Sequence, residues 1–119
     1  MATKSLTNTL GGLTLHVQDI HKSLDFYSRI PGAQVVIPIR ENGDHQFAMV
    51  RIGKGRIGLL AGVPHRQFHI EIDTEDLDDM YKSLKNRGFE PEGPPEVRSW
   101  GQKDMQLIDP DGYMIEFDQ

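Results

Sequence analysis

The chain repeats itself. Leu15-His16-Val17 and Ile70-Glu71-Ile72 stand 55 residues apart, and both triplets alternate apolar and polar side chains. Pro31-Gly32 and Arg87-Gly88 recur at about the same offset, each closing a helix-like stretch. A length of 119 residues allows one domain, so both copies share it. Each copy reads as strand, helix and further strands, a βαβββ unit whose sheet face one helix only partly covers. Two such units side by side make a cup-shaped mixed sheet of roughly eight strands, with helices outside and a polar concave face inside. The predicted class is therefore α+β, a single domain over 1–119 with module one at about 10–62 and module two at about 66–119.

In module one, Leu13, Leu15 and Val17 alternate with Gly12, Thr14 and His16, a strand buried on one face. Asp19 caps a helix running to about Ile30, which Pro31-Gly32 stops. Strands follow at Ala33 to Arg40, Phe47 to Ile52 and Arg56 to Ala61, with turns at Asn42-Gly43-Asp44 and Gly53-Lys54-Gly55. In module two, Gln67 to Ile72 alternates as a strand. Thr74 is expected to cap a helix whose apolar stripe is Leu77, Met80, Tyr81 and Leu84. Gly88 closes it, and strands are expected near Val97, at Met105 to Ile108 and at Tyr113 to Asp118. Residues 1–10 lack pattern and read as a loose end.

Bulk properties remove several function classes. With no cysteine there is neither a disulfide, a thiolate nucleophile nor a thiolate zinc site. The net charge of −5, with Lys and Arg scattered, argues against nucleic acid as partner. No apolar run approaches the roughly 20 residues a membrane helix needs, and the first residues lack the apolar core of a signal peptide. A soluble, cytoplasmic protein is the expectation.

Alternation assigns the concave face. It receives His16 from the first strand, Phe47, Met49 and Arg51 or the set of opposite parity from the third, Gln67, His69 and Glu71 from the fifth, Gln106 from the seventh, and Met114 and Glu116 from the last. Two histidines and a carboxylate on one concave surface have the composition of an open metal triad. An open sheet face carrying ordinary polar residues has the same composition. Glu71 and Glu116 would act as general acid or base only if the cup is dry enough to raise a carboxyl pKa.

The last strand is introduced by Asp109-Pro-Asp-Gly-Tyr-Met-Ile-Glu, two turn dipeptides fused into one tight reversal. Together with the duplicated unit and Asp19-Ile-His-Lys-Ser-Leu-Asp-Phe-Tyr27, this motif resembles the vicinal oxygen chelate superfamily over about residues 10–118. That group holds glyoxalase I, extradiol dioxygenases, methylmalonyl-CoA epimerase, fosfomycin-resistance thiol transferases and bleomycin-resistance proteins.

The resemblance implies a metal ligand at the start of the first strand, another at the start of the fifth, and a Glu in the last. The Glu position is Glu116. The fifth-strand position falls on Gln67, and the first-strand position on Gly12, which has no side chain to ligate with. His16 and His69 share the correct faces but lie deeper along their strands. No cofactor is therefore expected at the usual positions. The alternative is a divalent Zn, Ni, Mn or Fe ion held by a displaced His16, His69 and Glu116. Trp100-Gly101 is similar to the Trp-Gly of bleomycin-resistance proteins, members that lack the metal and sequester an aromatic, cationic drug between two chains.

The resemblance thus implies a small-molecule-binding homodimer of the glyoxalase/bleomycin-resistance type, with Trp100 near the mouth of the cup. Its rivals are a metal-dependent lyase, isomerase or dioxygenase with Glu116 as a catalytic group, and a dimer that is structural or regulatory and binds no ligand.

Overall fold

The computed structural model describes residues 9–42 and 45–119. Module one contains β1 (Gly12–Val17), α1 (Ile20–Ser28), β2 (Ala33–Asn42), β3 (His45–Ile52) and β4 (Gly55–Ala61). Module two contains β5 (His69–Asp73), α2 (Leu77–Asn86), β6 (Glu96–Val97), β7 (Lys103–Ile108) and β8 (Met114–Asp118). The eight strands form two four-stranded mixed sheets, ordered β1-β4-β3-β2 and β5-β8-β7-β6. In each, the first strand pairs parallel with the fourth and the remaining pairs are antiparallel. The duplication therefore holds at the level of topology. β1 and β5 are the corresponding edge strands.

The core follows from the alternation. Leu15, Val17, Ala48, Val50, Ile57 and Leu59 are buried on the α1 side of the first sheet, with Ile20, Phe26 and Tyr27 from the helix. Ile70, Met105, Leu107, Ile115 and Phe117 do the same for the second sheet, with Leu77 and Leu84 from α2. Each of the larger side chains gains roughly 1.5–3 kcal/mol on burial, which fixes the strand parity and so the identity of the residues on the opposite face.

The modules are joined where the β7–β8 turn docks under α1. Asp109 accepts a hydrogen bond from the Tyr27 hydroxyl at 2.6 Å and from the backbone N–H of Asp111 and Tyr113 at 2.8 Å each. Asp111 accepts from the Gln18 N–H and the Ser23 hydroxyl. The Tyr113 hydroxyl donates to the His16 carbonyl and accepts from the His65 N–H. Gly112 makes the reversal possible, with a φ of 90° that a side chain resists. The Asp-Pro-Asp-Gly stretch is thus both turn and junction.

Three expectations need correction. Asp76, not Thr74, caps α2: its carboxylate accepts from the Asp79 N–H. Thr74 stands two residues before that cap; its N–H donates to the Asp118 carbonyl at 2.7 Å, and its hydroxyl is buried without a partner among the described residues. The fifth strand begins at His69, so Gln67 lies in an exposed bend before it. The helix expected to run to Ile30 ends at Ser28 with Arg29 as its C-cap. Of the expected turn at Asn42-Gly43-Asp44, Gly43 and Asp44 lie outside the described residues, as do 1–8 of the end read as loose.

Candidate functional site

The side of the second sheet turned away from α2 is built in rows. Register places His69 beside Met114 and Ile108, Glu71 beside Glu116 and Gln106, and Asp73 beside Asp118 and Asp104. Adjacent rows put five carboxylates and one imidazole on a single face. His69 Nε2 lies 3.1 Å from Glu71 Oε1 and 3.4 Å from Glu116 Oε2. The imidazole is thus held between two glutamates that face each other across strands.

Their electrostatics differ. Asp104 is buried and gripped at both oxygens by the Arg98 guanidinium, with Nη2 to Oδ1 at 2.7 Å. That hydrogen-bonded cation holds its carboxyl below the usual range. Burial pushes the Glu116 carboxyl up, with added repulsion from Asp118 and Asp104 against a smaller opposing pull from His69. Asp118 is pushed up for the same leading reason, although it accepts from the Gln102 amide at 2.6 Å. Like charges this close on a half-buried face disfavour full ionisation. The cation beside this face, Arg98, is taken up by Asp104 and Glu96.

The first sheet offers a different surface. Its rows are Thr14, Gly58 and Met49; His16, Leu60 and Phe47; and Gly12, Arg56 and Arg51. Arg51 donates to the Gln34 side chain. Basic and apolar groups dominate here, so the two faces carry opposite charge.

The expected residues are placed as follows. His69, Glu71, Gln106, Met114 and Glu116 share the second face, and His16, Met49 and Arg51 share the first. Gln67 joins neither. Trp100 is 71% exposed on the loop after β6, and its indole N–H donates to Gln102 Oε1 at 3.0 Å. Since Gln102 also holds Asp118, the ring is tied by one residue to the acidic face. Sequence reading missed Gln102 and passed over Asp118, although Asp118 has the same parity as Glu116.

The usual metal set does not fit these residues. A Cβ built on Gly12 would lie 1.9 Å from the Arg56 carbonyl oxygen, so β1 and β4 approach too closely there for any side chain. Gln67, the other usual position, is off the strand. Nor is the displaced set of His16, His69 and Glu116 brought together. Among the described residues, the groups whose ligand atoms lie within 4.8 Å are His69–Glu71–Glu116 and Asp104–Glu116–Asp118. His16 instead packs against the His65 ring, with centroids 5.7 Å apart. Asp104 is already neutralised by Arg98. The set that offers one nitrogen and two oxygen donors is therefore His69, Glu71 and Glu116, all from module two.

Comparison with known proteins agrees with this architecture. The Bacillus subtilis (strain 168) protein YraH is 28% identical over 123 aligned positions, covering 87% of this chain and 92% of YraH. A glyoxalase/bleomycin resistance protein/dioxygenase superfamily member from Sphaerobacter thermophilus superposes with a TM-score of 0.78 at 27% identity, covering 94% of this chain and 97% of that one. A bleomycin-binding protein solved with bleomycin superposes with a TM-score of 0.74 at 23% identity, covering 95% and 98%. Among the described residues no helix is long and apolar enough to cross a membrane. The family model matches residues 9–117, and the chain belongs to the Glyoxalase/Bleomycin resistance protein/Dioxygenase superfamily.

Proposed function

We propose that this chain binds a small organic molecule carrying a positive charge, in the cup, without the family's usual metal centre. One observation carries the reading: Glu71, Glu116 and Asp118 lie on one face of the second sheet, where His69 sits between the two glutamates and Arg98 is taken up by Asp104, while a backbone carbonyl blocks the first-strand ligand position at Gly12. A cationic ligand would relieve the repulsion that raises Glu116 and Asp118. Trp100 supplies an exposed ring for stacking at the edge of that face. The fold is shared with a protein that binds bleomycin. A homodimer in a cytoplasmic setting completes the reading.

A thermal-shift screen tests it. A ligand that binds only the folded chain raises the melting temperature, by RT ln(1 + [L]/Kd) in free energy. Aromatic amines and guanidines should shift it, and matched carboxylates should not. Glu116→Gln with Asp118→Asn should abolish the shift. No response to any cation would overturn the reading and favour a dimer that is structural or regulatory.

A second reading is favoured by the 4.8 Å clustering of His69, Glu71 and Glu116. These residues would hold Zn, Ni, Mn or Fe, which would supply a Lewis acid to a lyase, isomerase or dioxygenase, with Glu116 as the family's carboxylate ligand. Elemental analysis separates the two. Stoichiometric metal in the purified protein, lost in His69→Ala, would replace the first reading by this one.

A further inference from the structure

The hairpin of β6 and β7 ends in a closed turn. Gly101 donates its N–H to the Arg98 carbonyl at 2.9 Å, and Arg98 donates its own to the Gln102 carbonyl at 2.7 Å. Gly101 takes a φ of 96°, so Ser99-Trp100-Gly101 is a three-residue loop with its left-handed residue last. Trp100 stands near the tip of this turn, 71% exposed, and is the only tryptophan of the chain. The turn fixes the backbone beneath the ring, but burial does not fix the ring itself.

Gln102 supplies that restraint. It is half-buried and continues the alternation of β7, so Gln102, Asp104 and Gln106 share one face. Its Oε1 accepts from the indole N–H at 3.0 Å, and its Nε2 donates to Asp118 Oδ1 at 2.6 Å. An amide can do both at once; a carboxylate there could only accept, and an ammonium only donate. Each bond polarises the amide in the sense that strengthens the other. The tether occupies Oδ1 of Asp118 and leaves its second oxygen to a ligand.

We infer that Gln102 is a positioning residue that sets the specificity of the acidic face: by tying the Trp100 indole to Asp118, it makes the site prefer a cation carrying an aromatic ring over an aliphatic cation of the same size and charge. The ring is ordered before a ligand arrives, so stacking on it does not first have to freeze an exposed side chain. The ligand's N–H groups reach the second oxygen of Asp118 while its ring lies against the indole. The inference rests on the cation reading of the proposed function and adds the residue that chooses among cations.

Benzylamine and cyclohexylmethylamine test it, since both carry one ammonium group at nearly the same size and only the first has an aromatic ring. Calorimetric titration of wild type at neutral pH should show benzylamine binding roughly fivefold more tightly. Gln102→Leu keeps the bulk and loses both hydrogen bonds. It should weaken benzylamine to the level of cyclohexylmethylamine and leave the latter within about twofold of wild type, whereas a merely structural Gln102 would weaken both alike. Gln102→Met carries the same expectations and stands in if Leu disturbs the turn. Trp100→Leu should also erase the preference, and the double variant should do no more than either single one, since both act through one contact. Time-resolved fluorescence anisotropy of the single tryptophan, without ligand, reads the tether directly: the indole should reorient faster in Gln102→Leu than in wild type. A preference kept in Gln102→Leu, equal weakening of both amines, additive single variants, or an indole equally mobile with and without Gln102 would each overturn the inference. Equal binding of the two amines by wild type overturns it and leaves the cation reading standing; binding of neither overturns the cation reading and this preference with it.

Discussion

The Arg29 guanidinium donates to the Arg87 carbonyl at 2.7 Å, and the Arg87 guanidinium donates to the Arg29 carbonyl at 3.1 Å. Both arginines are the C-caps of their helices, so the contact is reciprocal between equivalent points of the two modules. It marks the pseudo-twofold axis of the duplication. Phe26 and Phe89 pack edge to face beside it, with centroids 5.1 Å apart. Away from this axis the symmetry fails, since the Asp-Pro-Asp-Gly turn hydrogen-bonds to α1 whereas, among the described residues, the corresponding β3–β4 turn makes no hydrogen bond to α2. That failure leaves the chain one closed junction, at the β7–β8 turn.

Tyr27→Phe measures the closed junction. The hydroxyl is buried, and its loss leaves Asp109 with two backbone donors instead of three bonds. We expect a loss of about 1–2 kcal/mol, seen as a lower urea midpoint at unchanged slope. An unchanged midpoint would mean that the turn is held without Tyr27.

Gly12→Ala tests why the first-strand ligand is absent. Its Cβ would meet the Arg56 carbonyl oxygen, which belongs to the β1–β4 ladder and has no room to yield. Overpacking of this kind costs about 1–3 kcal/mol. Gly12→His should cost at least as much, and elemental analysis should find no metal gained. A stable Gly12→His protein with stoichiometric zinc would show that the strands separate freely.

Periodicity made most of this fold legible. The parity of β1, β3, β5 and β8 follows from alternation, because a one-residue slip would turn Leu15 or Phe117 out to water. It therefore also placed His16, His69 and Glu116 on the sheet faces opposite the helices. Distances along and across strands were not legible. Nothing in the sequence says that His16 ends beside His65, or that Glu71 rather than a second histidine flanks His69. Thr74 misled because two good capping residues, Thr74 and Asp76, stand two positions apart, and the helix starts after the second. The clash behind Gly12 depends on the approach of a second strand and leaves no local mark.

Glu116 gives the acidic face a pH signature. Its folded carboxyl lies above the ordinary 4.5, so the folded chain holds the proton more tightly than the unfolded one does. Its contribution to stability is therefore full at low pH and is lost as pH rises from 4.5 through the folded value. Glu116→Gln should raise the melting temperature at neutral pH and have little effect well below pH 4.5. On the proposed function, the same substitution should also reduce the thermal shift given by aromatic amines. A fall in neutral-pH stability would show instead that His69 stabilises Glu116 more than burial opposes it.

Arg98 sets how much charge that face presents. It grips Asp104, whose side chain is 4% exposed, and so sets a positive charge beside the repulsion that Asp104 adds at Glu116 and Asp118. Asp104 has a folded pKa below its ordinary value, so its stabilisation is present above that value and is lost as pH falls through the folded one. Arg98→Ala leaves the carboxylate buried without a partner, which is strongly destabilising when it is ionised. The urea midpoint should therefore drop most at neutral pH, and the gap from wild type should close on acidification, as Asp104 takes up a proton. Carboxyl carbon titration by NMR should show Asp104 moving upward in the variant, with Glu116 and Asp118 shifting less. A midpoint deficit that stays constant with pH would assign Arg98 a packing role over β7 rather than an electrostatic one.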